Sequence, residues 1–187
     1  MTEATTRVGV TVTFLRMDAA PAAPAPALPS DAQVVRLARP SVSFYRYLYD
    51  TVGGEYLWWL RRSLSRTDLA AILAAPGVSV HVLYRHGEPA GFYELDRRAW
   101  PVVNLSYFGL LPHAVGEGMG RAFLRHAVDA VWGMGAQAMT VNTCTADHPR
   151  ALPTYRAVGF RPVRAVKEVW DVPVRLGLAV PAHLPRS

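Results

Sequence analysis

Residues 8–17 alternate apolar side chains with Thr11, Thr13 and Arg16, the two-residue period of a strand with one buried face. Residues 19–29 follow as Ala-Ala-Pro-Ala-Ala-Pro-Ala-Pro-Ala-Leu-Pro, where prolines deny both helix and ladder and predict an extended connector. A short strand is expected over 34–37. Pro40 and Ser41 then open a helix through Asp50, rich in aromatic residues (Phe44, Tyr45, Tyr47, Tyr49) and ended by Gly53 and Gly54. A second helix over 67–74 has Ser65 or Thr67 as its cap and Pro76-Gly77 beyond its end. Between the two, residues 55–62 carry Tyr56, Trp58 and Trp59, too aromatic a load for a solvated loop. Residues 78–84 and 90–96 alternate about a tight turn at His86, Gly87 and Glu88, and 102–111 makes the next strand, so an antiparallel meander is expected. The period then changes. Apolar residues at 119, 123, 127 and 131 against polar ones at 121, 125 and 129 describe an amphipathic helix over 121–132. A strand over 139–145, a helix over 149–158 stopped by Gly159, and at least one more strand with a turn over 160–172 complete the pattern. Strands in a run, then strand, helix, strand, helix, strand, predict a mixed sheet of α/β (α+β) class with flanking helices.

Composition narrows the setting. The chain has 187 residues, 51% of them hydrophobic, enough for one sizeable core, and a compact fold of this length buries about 70% of the surface of its unfolded chain. One domain over 1–187, with the Pro/Ala-rich connector at 19–29, is expected. Cys144 is the single cysteine, so no internal disulfide or cysteine-based zinc cluster can form, which suits a reducing, cytoplasmic setting. No apolar run approaches the roughly 20 residues of a membrane span, and the N-terminus lacks the pattern of a signal peptide, so no membrane partner is expected. The six histidines form no i, i+4 pair or carboxylate triad, and no metal is expected. The net charge of +6 asks for a partner: nucleic acid, an anionic surface or a polyanionic small molecule. Arg61-Arg62, Arg97-Arg98 and the cluster Arg161, Arg164 and Lys167 lie in separate segments without a nucleic-acid-binding motif, so nucleic acid is not the expected partner.

The chemistry concentrates in residues 110–121, Leu-Leu-Pro-His-Ala-Val-Gly-Glu-Gly-Met-Gly-Arg. A strand feeds a loop whose glycines let backbone amides approach a ligand, and the helix after it presents unpaired N–H groups and the positive end of its dipole. Such a loop wants an anion. It lacks the Lys-Ser/Thr of a nucleoside-triphosphate loop and the parallel unit with a distant acidic residue of a dinucleotide fold.

Two blocks at the right separation resemble the GNAT superfamily of N-acetyltransferases. Residues 104–124 are similar to the family's central strand, pyrophosphate loop and following helix, whose loop reads Gln/Arg-x-x-Gly-x-Gly/Ala. Gly118 and Gly120 match, whereas Val115 stands in place of the usual Gln or Arg. Residues 142–160 resemble the next strand and the helix ending in Tyr-x-x-x-Gly-Phe, matched by Tyr155, Gly159 and Phe160, with His148 where asparagine is common. The resemblance covers 102–163, extends to the hairpin at 78–96, and reaches the first 77 residues by element order.

The resemblance implies a mixed, mostly antiparallel sheet splayed at a cleft for acetyl-CoA. Phe108, Gly109, Leu110 and Asn142 would flank the pantetheine, with Gly109 marking a bulge. Amides of Val115, Gly116, Glu117, Gly118, Met119, Gly120 and Arg121 would hold the pyrophosphate, with His148 beside the coenzyme and Arg121 and Arg125 within reach of phosphates. It also implies direct attack by an amine on the thioester, an oxyanion held by the N–H of Leu110, and Tyr155 as the acid, with Pro153 kinking the helix that carries it. The family's glutamate position falls on Asn104, so Glu94 on the preceding strand is the alternative base, with Asp96, His81, His148 or an ordered water behind it. The acceptor pocket is expected from Tyr45, Tyr49, Tyr56, Trp58 and Trp59, which suits an apolar or aromatic amine whose ammonium Glu55 or Glu94 would hold. A small-molecule amine acceptor and a monomer or homodimer are expected. A non-catalytic acyl-CoA-binding module is the alternative, favoured by Asn104 at the base position.

Overall fold

A computed structural model describes residues 3–186. Seven strands form one sheet: β1 (Thr5–Met17), β2 (Ala32–Arg36), β3 (Val78–Arg85), β4 (Glu88–Asp96), β5 (Val102–Leu110), β6 (Ala138–Cys144) and β7 (Arg161–Pro173). Five helices accompany them: α1 (Val42–Gly53), α2 (Leu60–Ser63), α3 (Arg66–Ala74), α4 (Gly120–Gly133) and α5 (Ala151–Val158). The strand order is β2-β3-β4-β5-β6-β1-β7, and every neighbouring pair is antiparallel except β5 and β6. A parallel pair needs a crossover, which α4 supplies. The meander expected over 78–111 is present, and β2 extends it. Residues 160–172 hold one long strand without the expected turn, because β7 pairs continuously along β1 from Thr5↔Pro173 to Arg16↔Arg161, broken only by an irregularity at Phe14 and Leu15.

Local chemistry sets the helix starts. Ser41 Oγ accepts from the Phe44 amide at 3.2 Å, and Ser65 Oγ accepts from the Asp68 amide at 3.0 Å while its hydroxyl donates to the Asp68 carboxylate. Residues 18–31 carry neither helix nor strand, and Pro21 is held by a bond from Arg125 to its carbonyl.

The core lies on both faces of the sheet. On one, Phe123, Leu124, Ala127, Val128 and Val131 of α4 pack on Tyr93, Leu95, Val103, Leu105 and Val141. On the other, α1 and α3 lay Tyr45, Leu48, Tyr49, Val52 and Leu69 over Val80, Val82 and Phe92. The alternation of β4 thus sends Phe92 to one core and Tyr93 to the other. A third cluster joins Val8, Val10 and Val12 to Leu57, Val172 and Leu184. No helix among the described residues is long and apolar enough to cross a membrane.

Candidate active site

The site begins where β5 and β6 part. They pair from Val102↔Ala138 to Leu105↔Val141 and no further, so residues 106–110 turn an unpaired backbone edge toward residues 142–144. The cause is local. On the β4 side Glu94 faces Tyr107 while Leu95 faces Leu105, leaving Ser106 as the extra residue of a bulge that bends the strand. The expectation of a bulge at Gly109 is therefore corrected to Ser106. Gly109 is small for another reason: a Cβ there would lie 2.3 Å from Val52 Cγ1 of α1.

A cavity of about 1200 Å³ fills the gap. It exceeds the roughly 300–1,000 Å³ of a site for one small ligand and has room for two molecules. At one end Val115, Gly116, Gly118, Gly120 and Arg121 form its wall. Gly116 and Gly118 have φ of +94° and +78°, conformations an L side chain resists, and α4 starts at Gly120 without a capping side chain. The loop's other two residues do not face the cavity. Glu117 turns toward Arg85 at 3.4 Å, and Met119 is buried in the core, so any part they play is through the main chain. Arg125 also turns away, to Asp129 at 2.7 Å.

Phe108, Leu110 and Tyr155 line the middle. Tyr155 projects from α5 between the rings of Phe108 and Phe160, with centroids 6.3 and 5.9 Å away. Burial, aided by the Asp147 carboxylate, raises its pKa and keeps the phenol protonated. Pro153 is the third residue of α5, where any residue's N–H would lack an intrahelical partner, so it costs no helix bond and the expected kink is not required.

The far end is aromatic. Tyr49, Tyr56, Trp58, Trp59, Tyr107 and Trp170 line it, with Trp58 packed 5.2 Å from Tyr49 and 5.1 Å from Tyr107. Tyr45 is corrected: it is fully buried behind this wall and does not reach the cavity.

The carboxylates sort themselves by burial. Glu94 has no exposed surface; Tyr45 donates to it at 2.5 Å and Arg61 at 2.6 Å. Burial opposes the Arg61 charge, yet Glu94 and the neighbouring phenols outweigh it and hold that charge firmly. Glu94 is thus committed to a buried ion pair and absent from the cavity wall, which corrects its assignment as base or ammonium anchor. Glu55 is exposed outside the cavity, and Asp96, although on the wall, is bound by Arg98 at 2.6 Å. Asn104 does line the cavity, with both ends of its amide engaged: Oδ1 accepts from Thr140 and Nδ2 donates to Ser106. Asn142 and His148 line it too, His148 Nδ1 accepting from the Arg150 amide at 3.0 Å. His81 is elsewhere, stacked on Tyr93 at 4.5 Å.

One acidic residue escaped the sequence reading. Asp147 lies in the loop between β6 and α5 and lines the cavity. Its Oδ2 accepts from Thr143 Oγ1 at 2.7 Å and the Cys144 amide at 2.9 Å, and its Oδ1 accepts from Trp58 Nε1 at 3.3 Å. Burial raises its pKa above the ordinary carboxylate value, while these bonds pull it back. The available signal was its place next to His148 in a strand-to-helix loop, the kind of segment that carries chemistry. Cys144 beside it is inert: burial, then the Asp147 charge, pushes its thiol up to about 12.

Known proteins share this architecture. The sequence model of the acetyltransferase (GNAT) family matches residues 40–160. A GCN5-related N-acetyltransferase from Sphaerobacter thermophilus superposes with a TM-score of 0.63 at 17% identity, over 91% of this chain and 53% of that one. The ribosomal-protein-S18-alanine N-acetyltransferase from Escherichia coli gives 0.57 at 15% identity, over 76% and 94%. An IAA acetyltransferase from Bacillus cereus ATCC 14579 gives 0.53 at 20% identity, over 71% and 79%. The chain spans only 53–63% of the length of several structures it matches. No curated protein matches it. Its sheet opens where β5 and β6 diverge, its glycine loop leads into α4, and the family model spans both; the chain belongs to the acetyltransferase (GNAT) family.

Proposed function

We propose that this chain is an acetyl-CoA-dependent N-acetyltransferase acting on a small primary amine with an apolar or aromatic body. One observation carries the reading: the unpaired edge of β5 lies in a cavity for two molecules, with anion-binding amides at one end and an aromatic wall at the other. The coenzyme's pantetheine would pair with residues 106–110 as an added strand. Its pyrophosphate would meet the amides of 115–121, and Arg121 would supply positive charge there. This gives the basic excess a partner in the coenzyme phosphates.

The amine enters from the aromatic end, where Trp58, Trp59 and Tyr107 would pack its apolar body. Its lone pair attacks the thioester carbonyl, the oxyanion forms beside the backbone amides of β5, and the departing sulfur receives a hydrogen bond from Tyr155. A phenol held protonated suits that donor role. We place the protein in the cytoplasm, as a monomer or homodimer.

The test is release of free thiol from acetyl-CoA with a panel of arylalkyl amines, polyamines and N-terminal peptides, alongside calorimetry of coenzyme binding. Turnover fastest with arylalkyl amines is expected. Preference for polyamines would remove the aromatic-acceptor part, and binding without turnover on any amine would leave a coenzyme-binding module.

A further inference from the structure

Resting on that reading, we infer that Asp147 is the base that takes the proton from the acceptor's ammonium group. Among the carboxylates around the cleft, Glu94 is closed off by Tyr45 and Arg61, Asp96 is bound by Arg98, and Glu168 accepts from Trp170 Nε1 at 2.8 Å. Asp147 is left, and its position fits the task. It hydrogen-bonds Trp58 of the aromatic wall, and its charge is felt by the Tyr155 phenol on the coenzyme side, so it stands between the two ends of the cavity.

Its hydrogen bonding leaves room for a substrate. A carboxylate offers about four lone-pair sites, and Thr143, the Cys144 amide and Trp58 occupy three. The fourth belongs to Oδ1, the oxygen that carries only the Trp58 bond. The same three donors come from three different groups and fix the carboxylate plane, as a base that must meet a proton at a set position requires.

The step balances as follows. An N–H bond of the ammonium breaks and an O–H bond forms on Asp147, leaving a neutral amine. The amine lone pair forms the C–N bond as the carbonyl π pair moves to oxygen. The tetrahedral intermediate collapses with cleavage of the C–S bond, and the second nitrogen proton ends on the sulfur, giving the amide and free CoA thiol. Asp147 then returns its proton to solvent. Tyr56, Cys144, His148 and Tyr155 are the titratable groups around Asp147; burial raises the pKa of Tyr56, Cys144 and Tyr155, so those three stay neutral through the working range.

The experiment compares two amines with and without the carboxylate. Phenethylamine is an ammonium ion at neutral pH and needs the base; aniline is already neutral there and does not. Asp147→Asn is expected to lower kcat/KM for phenethylamine about 100-fold or more at neutral pH. The aniline rate should change less than about threefold, as should the calorimetric affinity for acetyl-CoA. The phenethylamine rate should recover as pH approaches the amine's own pKa. Equal losses on both amines, or an undiminished phenethylamine rate, overturn the assignment. Should the variant not fold, Trp58→Phe keeps the carboxylate and removes one donor that favours its charge. The acid limb of the kcat/KM profile must then move upward, and a limb that stays put overturns the assignment. Wild-type protein that binds acetyl-CoA but acetylates no amine overturns the acetyltransferase reading itself, and the base with it.

Discussion

The two ends of the cavity are built in opposite ways. The glycine-loop end comes from one continuous stretch, residues 106–121, and offers mainly backbone: a free strand edge, two glycines at positive φ and an uncapped helix start. The aromatic end is assembled from side chains of α1, the 55–61 segment, β5, β7 and the loop after β6. A backbone site tolerates side-chain changes, which is why Val115 can stand where the family has Gln or Arg. A side-chain site is set residue by residue, and its charges depend on which groups the fold buries.

The carboxylates sharpen that contrast most. Removing Glu94 strands the Arg61 charge, so Glu94→Ala is expected to lower unfolding stability by about 3–5 kcal/mol in urea titration. Asp147 has the opposite sign. Its raised pKa means that the folded state holds the proton better than the unfolded chain, so its contribution to stability is present below the ordinary carboxylate pKa and is lost as pH rises through its own. At neutral pH its charge therefore opposes folding. Asp147→Asn should leave the urea midpoint at pH 7 unchanged or higher, and a large loss would assign Asp147 to the same structural class as Glu94.

Tyr155→Phe tests the middle of the cavity. It should cut kcat about 100-fold while acetyl-CoA affinity holds within about threefold, because the lost hydrogen bond acts on the leaving sulfur and not on the bound coenzyme. The coenzyme end should break through its backbone. Gly118→Val forces a β-branched residue to φ +78°, at a cost of about 1–2 kcal/mol, and is expected to weaken acetyl-CoA binding about tenfold in calorimetry. Val115→Ala, by contrast, should change that affinity less than about twofold, since the loop contributes amides there; a larger effect would show that this side chain matters after all.

How far the sequence could be read follows the same division. The strand and helix periods placed every major element, and Gly118, Gly120, Tyr155, Gly159 and Phe160 marked the coenzyme end because backbone geometry demands particular residues at particular spacings. The acceptor end was only half legible. Its aromatic residues were visible as excess rings, but alternation along β4 put Glu94 on the right face without revealing that α1 and Arg61 close over it. The bulge was assigned to Gly109 because glycine marks bulges, whereas Ser106 carries it and Gly109 makes room for Val52. Asp147 went unnoticed since its partners Trp58 and Thr143 are joined only by tertiary structure.

The place of β1 in the sheet bears on how the chain reaches this state. It is the first strand to be synthesised, yet it lies between β6 and β7, pairing Val12 with Cys144 on one side and with Val166 on the other. The hairpins from β2 to β5 need only local loops to close, whereas β1 must wait for partners more than a hundred residues downstream. An emerging chain can therefore form the glycine loop and half the cleft while its opening strand is still unpaired. The last ladder to form locks β6 and, with it, the Asp147 side of the cavity.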